Sequence, residues 1–400
     1  MAVAVAGIIA EYNPFHRGHG WQIGAIRREL GEETAVVVAM SGNFVQRGAF
    51  AIASKHARAE MAVLGGADLV LELPSPWACA TAERFARGGV SLLDATGVVT
   101  HLVFGSEAGE LQPLLSAAHT VESAAYQEAV RKQLAAGVTF AAARERAAAE
   151  LDGARDGALR LPNNNLAVEY LRSLAHLNSA MEPLTFPRVG AAHDSGQLQE
   201  FSSASAIRAQ ILAGEDWEPF VPETTARILR REFALGRGPV TVSNCERAVL
   251  AALRMLKEEE LLAYDGGGEG LYHRFYDAIQ AETSLDGILA AAKTKRYPMA
   301  RLRRMLLQSY LRMPQAAAEE TPPYIRVLAA NGRGRELLRE MRRRAALPVI
   351  TQPGETRRMG DGINGAFADE SRRTDLYTLA CPDLRWAKAG SEYSTGPVIL

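Results

Sequence analysis

In the first hundred residues, short runs of β-branched and small apolar residues alternate with stretches of helical periodicity, and nothing else in the chain constrains its fold as strongly. Residues 3–10, 34–40, 68–73 and 101–104 read as strands buried on both faces. Residues 20–30, 54–64 and 83–95 read as the helices between them. Strand–helix–strand units cross over with a right hand, so the pattern predicts an α/β fold built on a doubly wound parallel sheet. Ligands of such sheets lie outside the carboxyl ends of the strands, where strand order reverses. The loops that follow Ala10, Met40 and Phe104 are therefore the places to look for chemistry.

Residues 111–149 are alanine-rich and helical, residues 151–161 form a polar connection, and residues 163–174 continue as helix. Residues 183–189 read as one more strand, and 202–212 as a loop feeding a helix. Beyond Gly214 the rhythm gives way to helical patterns at 223–235, 245–262, 270–281, 302–311 and 334–344, joined by Pro and Gly turns. The expectation is an α/β domain over residues 1–215 followed by a mostly helical C-terminal domain over 216–400. No repeat of 20 to 50 residues is visible, which disfavours solenoids.

With 48% apolar and 23% charged residues over 400 positions, the chain has the composition of a folded protein. Its three cysteines, Cys79, Cys245 and Cys381, are far apart and form no CxxC pair, so neither a disulfide framework nor a metal knuckle is expected, and a reducing cytoplasm is. No stretch approaches the roughly 18 apolar residues of a membrane span.

The loop after the first strand is the most informative segment. Gly7, Ile8, Ile9, Ala10, Glu11, Tyr12, Asn13, Pro14, Phe15, His16, Arg17, Gly18, His19 and Gly20 take the chain from a strand through a proline turn to a helix start. His16 and His19 are three apart and share one side of a first helical turn. A helix amino terminus suits phosphate, and two imidazoles there can donate to phosphate oxygens, more strongly as charge builds in a phosphoryl transition state. Gly18 lets the backbone approach a nucleotide closely. An HxxH pair without further ligands is weak evidence for a metal, and no metal site is assigned.

Other positions admit two readings each. Gly105 is either a strand-terminating turn or a place where adenine or ribose rests against the strand end. Asn163 and Asn164, after Pro162, either cap a helix or contact nucleotide. Arg188 is either a surface arginine or a phosphate clamp. Ser203 and Arg208 belong to a serine-capped helix start that could also bind phosphate, and Ser41 and Asn43 close the second strand opposite the first loop, well placed for substrate. Asp68 and Glu72 point to one face of their strand, yet Glu72 sits between leucines as a structural acid would. The dipeptide His193-Asp194 is too little for a metal site. The formal net charge is −1, but residues 281–350 carry 14 Lys and Arg against 6 Asp and Glu. Lys293, Lys295, Arg296, Arg301, Arg303 and Arg304, followed by a second run from Arg333 to Arg344, fit a surface that tracks an RNA backbone.

His16-Arg17-Gly18-His19 resembles the HxGH signature of the nucleotidyltransferase superfamily. Taken with residues 40–48 (MSGNFVQRG), 66–74 (GADLVLELP) and 104–107 (FGSE), the chain resembles the tRNA(Met) cytidine acetate ligase family. The likeness continues through Pro162-Asn163-Asn164, Arg188, residues 203–208 (SASAIR) and 295–297 (KRY), and departs from the family pattern at Phe50, Ser54 and Asn165. The resemblance implies a nucleotidyltransferase-like Rossmann domain and an enzyme that activates acetate with ATP and Mg2+ as acetyl-adenylate, releasing pyrophosphate. The acetyl group then passes to N4 of the wobble cytidine of elongator tRNA(Met). It makes His16 and His19 catalytic, and Gly7 to Gly20, Gly105, Asn163 and Arg188 ATP-binding. Two other readings stand beside it: a small-molecule nucleotidyltransferase of cofactor synthesis, and a non-enzymatic RNA-binding protein with a vestigial nucleotide pocket.

Overall fold

The computed structural model describes residues 3–107, 109–152, 159, 161–187, 202–266 and 270–400. An eight-stranded sheet runs through the molecule, with β1 (Val5–Ala10), β2 (Ala35–Ser41), β5 (Leu69–Leu73), β6 (His101–Ser106) and β7 (Glu182–Pro187) all parallel. Between β2 and β5 lies a separate two-stranded hairpin, β3 (Phe44–Val45) with β4 (Ala49–Phe50). Within the large sheet the order is β5-β2-β1-β6-β7. The chain moves outward from β1 in one direction, returns, and continues on the other side, so the switch point lies between β1 and β6. The loop after Ala10 and the glycine at position 105 thereby become neighbours.

Side chains alternate across this sheet. Ile8, Val36, Val38, Met40 and Val70 face helices Arg17–Leu30 and Lys55–Leu64, in a core that also takes Ile207 and Leu229. Val5, Val37, Ala39, Leu69, Leu71 and Leu73 face helix Ala82–Asp94, in a core continuous with helix Pro162–His176 and the helices between residues 246 and 310. All of β2 and the first four residues of β1 are buried, which is why these runs carry no polar alternation.

The fold class read from the sequence holds, but the second half is not wholly helical. β8 (Ile325–Ala330) joins the sheet antiparallel to β5, and β9 (Val349–Ile350) and β10 (Val398–Ile399) pair with β8. The last 76 residues therefore return to the sheet of the first part, and helix Asp361–Thr378 packs back toward it. The run at 325–330 escaped the sequence reading because Arg326 interrupts it; that side chain is fully buried.

Candidate active site

At the end of β1 the chain turns through Glu11 to Phe15 into helix Arg17–Leu30, and the two histidines cap that helix reciprocally. His16 Nδ1 accepts from the Gly18 N–H at 3.1 Å, and His19 Nδ1 accepts from the His16 N–H at 3.1 Å. The rings stack with centroids 3.6 Å apart. With Nδ1 committed as an acceptor, the proton of each neutral ring resides on Nε2. Two N–H donors are thus fixed at a helix amino terminus, where the dipole already favours an anion. Tyr12 and Phe15 hold the arrangement from beneath: the Tyr12 ring lies 4.6 Å from His19 and 4.9 Å from Phe15, and Phe15 fills the space over Gly65, where a Cβ would come within 2.4 Å.

The loops after β1 and β2 are tied together by Arg58, which the sequence reading did not single out. Its buried guanidinium donates to the carbonyls of Glu11, Ser41, Gly42 and Ala53; burial lowers its pKa to about 10. Glu11 Oε1 accepts from the Gln46 N–H at 2.8 Å and Asn13 Oδ1 from the Ile52 N–H at 2.8 Å, so the β3–β4 hairpin is laced to the first loop. Arg208 reaches the same loop from helix Ala204–Ala213, donating to the Asn13 carbonyl at 2.7 Å, while Ser203 caps that helix. Arg17 points away and donates to the Pro219 carbonyl.

Across the switch point, Gly105 lies near the end of β6 and Glu107 follows it. The Glu107 carboxylate accepts from the backbone N–H groups of Asn163 and Asn164 at 3.2 and 2.7 Å and from the Asn163 side chain, and Asn164 Oδ1 accepts from the Glu107 N–H. Glu107 is therefore the acid at the amino end of helix Pro162–His176, and it carries Asn163 to the strand end. Glu107 ends the FGSE run at 104–107, yet its capping role has no local signal, since it acts 56 residues away. Arg188 and His193-Asp194 lie outside the described residues. Three of the expected nucleotide residues sit lower: Ile8 is in the core, Ile9 packs on Gly89, and Gly7 lacks a side chain where Leu93 and Val99 occupy the space.

The HIGH Nucleotidyl Transferase family profile matches residues 3–391. The tRNA(Met) cytidine acetate ligase of Syntrophomonas wolfei is 37% identical, with 99% of each chain aligned, and that of Thermosipho africanus is 32% identical over 99% of each. Among solved structures, TmcAL of Thermotoga maritima bound with alpha-thio ATP superposes with a TM-score of 0.92 at 32% identity, covering 99% of both chains. The chain belongs to the tRNA(Met) cytidine acetate ligase family.

In this family member a buried ionic network lies directly beneath the strand-end loops. Lys55 Nζ is 2.7 and 2.9 Å from the Glu72 oxygens and 2.9 Å from Glu392 Oε2. Glu392 also takes the Thr374 hydroxyl at 3.0 Å and Arg326 at 3.4 Å, while Glu370 holds Ser75 and Arg373. Asn43 closes the ring: Oδ1 accepts from the Lys55 N–H and Nδ2 donates to Thr374. Burial pushes the Glu72 carboxyl up to about 7, against the pull of Lys55. Burial would raise Glu392 too, but Lys55, His56 and Arg326 outweigh it and hold it at about 2. Burial lowers His56 to about 3, so it is charged only in the acid range where Glu392 titrates and is neutral above it. Glu72 is thus the structural acid its leucine neighbours suggested. Asp68, at the other end of β5, accepts from Val36 N–H and pairs with Arg27.

Two of the sequence departures have local reasons. Ser54 caps helix Lys55–Leu64, accepting from the Ala57 N–H, and Phe50 stacks among Phe44, Tyr310 and Tyr377. Of the basic residues, Lys293, Lys295, Arg296 and Arg303 are exposed, whereas Arg301 binds the buried Asp265 at 2.9 Å and Arg304 is half-buried, which lowers its pKa. Lys293 bends back to the Thr294 and Tyr297 carbonyls. The two basic runs do not form one surface. Helix Met299–Tyr310 packs on the β3–β4 hairpin at the carboxyl side of the sheet, whereas helix Gly332–Arg344 starts beside Asp68 and ends beside Ala95, at the amino side.

Proposed function

We propose that the chain is an ATP-dependent ligase that activates acetate as acetyl-adenylate, with release of pyrophosphate, and passes the acetyl group to N4 of the wobble cytidine of elongator tRNA(Met), leaving AMP. The reciprocal histidine cap carries this reading, because it fixes two Nε2–H donors at a helix amino terminus beside the switch point, before any ligand arrives. An α-phosphate there gains hydrogen bonds that strengthen as charge accumulates on its oxygens. The relatives' names, and the alpha-thio ATP bound by the Thermotoga protein, support the same chemistry.

In the first step an acetate oxygen attacks the α-phosphorus and the bond to the β-phosphate breaks. His16 and His19 donate to the α-phosphate, Arg208 and Arg188 meet the leaving pyrophosphate, and Gly105 and Asn163 hold the nucleoside end. Magnesium would enter on the triphosphate: its usual ligands are phosphate oxygens, and among the described residues no three His, Cys, Asp or Glu side chains converge. Ser41 and Asn43 flank the acetate. In the second step an unpaired, splayed cytidine presents N4 to the activated carbonyl, as a loop base can. Residues 1–215 supply the nucleotide chemistry, and the helices beyond them, through Lys295, Arg296 and Arg303, track the RNA.

Among the described residues no helix is long and apolar enough to cross a membrane; we place the reaction in the cytoplasm. The test is incubation with labelled acetate and ATP, with and without total tRNA. Acetate that becomes acid-precipitable only with tRNA and ATP is the expected result. Adenylyl transfer to a phosphorylated small molecule instead would favour a cofactor-synthesis enzyme, and nucleotide binding without AMP release a vestigial pocket.

A further inference from the structure

Arg47 has no part in the reading above, and its placement is fixed from two sides. It sits at the tip of the β3–β4 hairpin between Gln46, whose N–H binds Glu11 Oε1 at 2.8 Å, and Gly48. Gly48 has φ +72°, and a Cβ there would come within 2.5 Å of the backbone at Arg303 and Arg304, so the tip is wedged between the nucleotide loop and helix Met299–Tyr310. From the opposite side, Arg208 donates to the Asn13 carbonyl at 2.7 Å. Glu11 and Asn13 flank a single residue, so two guanidinium-bearing elements grip the same three-residue segment.

Two guanidinium charges stand here against one carboxylate, that of Glu11. Neither Arg47 nor Arg208 forms an ion pair with a carboxylate among the described residues; Arg208 contacts only the Asn13 carbonyl and the Ser205 hydroxyl. Burial lowers the pKa of Arg208, the Glu11 carboxylate opposes that shift, and the charge of Arg47 adds to it. Two arginines about the single Glu11 carboxylate leave a net positive charge beside the nucleotide loop, and guanidinium forks match the oxygens of a multiply charged anion such as a phosphate.

We propose that Arg47 is a further catalytic residue, the partner of Arg208 in a clamp on the β- and γ-phosphates of ATP. This rests on the adenylation reading. As the acetate oxygen bonds to the α-phosphorus, the α–β bridging bond breaks and its electron pair leaves on pyrophosphate; the clamp meets that added charge, and no proton is transferred. The hairpin that carries Arg47 also abuts the basic helix, so the same element joins the leaving-group site to the RNA-facing side.

The test is ATP–pyrophosphate exchange at saturating acetate, with and without total tRNA, on the full chain and its Arg47→Met and Arg47→Lys variants. Because hydrogen bonds to charged groups are the strong ones, Arg47→Met should raise the KM for pyrophosphate and lower the exchange rate by about 10- to 100-fold. The KM for acetate and the Kd for AMP should stay within about twofold, and Arg47→Lys should recover part of the loss, in keeping with a retained point charge. Transfer from supplied acetyl-adenylate to tRNA should be unchanged. Exchange by Arg47→Met within twofold of the parent overturns the proposal, as does a loss confined to the transfer step, which would make Arg47 an RNA contact. A parent chain that exchanges no pyrophosphate overturns the adenylation reading itself, an outcome distinct from failure of Arg47 alone.

Discussion

Replacing Lys55 by methionine should expose how much of the fold hangs on the ionic network beneath the active-site loops. The lysine stands between Glu72 and Glu392, at 2.7 and 2.9 Å, with both carboxylates about 1% exposed. Methionine has similar bulk but leaves two buried acids facing each other, and breaking such a pair costs about 3–5 kcal/mol. With an unfolding entropy of roughly 2.1 cal/mol/K per residue, a chain of 400 residues has about 0.8 kcal/mol/K at its midpoint, so a loss of about 4 kcal/mol lowers Tm by about 5 °C.

The deficit should depend on pH with a definite sign. Glu392, held at about 2, adds stability that is present above about pH 4.5 and lost as pH falls toward 2. Glu72, pushed up to about 7, acts oppositely and costs stability as pH rises from about 4.5 through 7. Without Lys55 the charged form of Glu72 has lost its counterion, so the deficit is greatest above pH 7 and shrinks below it, where Glu72 takes up a proton. Calorimetric melting of parent and variant at pH 8 and pH 5.5 measures both effects. A Tm loss under about 1 °C at pH 8, or an equal loss at the two pH values, refutes the reasoning. Adding Glu392→Gln to the variant should restore part of the loss, giving a coupling above about 1 kcal/mol for residues in direct contact.

Three other outcomes are expected. His19→Ala removes one Nε2–H donor and should cut acetate-dependent pyrophosphate release by about 100- to 1,000-fold; undiminished release with a native melting curve removes its catalytic role. Glu107→Ala frees the amino end of helix Pro162–His176 and the Asn163 side chain, so the KM for ATP should rise severalfold while the KM for acetate holds, and an unchanged ATP KM argues against a nucleotide site there. Changing Lys295, Arg296 and Arg303 to glutamine should weaken tRNA binding and flatten its log–log salt slope by about 0.7 to 0.9 per lost phosphate contact; a slope that does not move sinks the RNA-surface assignment.

What the sequence determined by itself was local. Apolar runs at 3–10, 34–40, 68–73 and 101–104 specify strands because each is buried from both sides, and the helices between them oblige parallel crossovers. That His16 and His19 share one helix start was legible for the same reason, since they lie within one turn; that they cap it reciprocally, with the helix beginning at Arg17, only the structure decided. Long-range pairing was not legible. Arg326 made a sheet strand look like something else, because an arginine inside an apolar run is tolerable only when Glu392 arrives 66 residues later. Lys55, Arg58 and Glu107 gave no local signal, since their partners lie on other elements. The charge runs were visible, but their arrangement on opposite sides of the sheet follows from β8 running antiparallel to β5. Periodicity records which face of an element is buried; only tertiary contact decides which distant charge neutralises which.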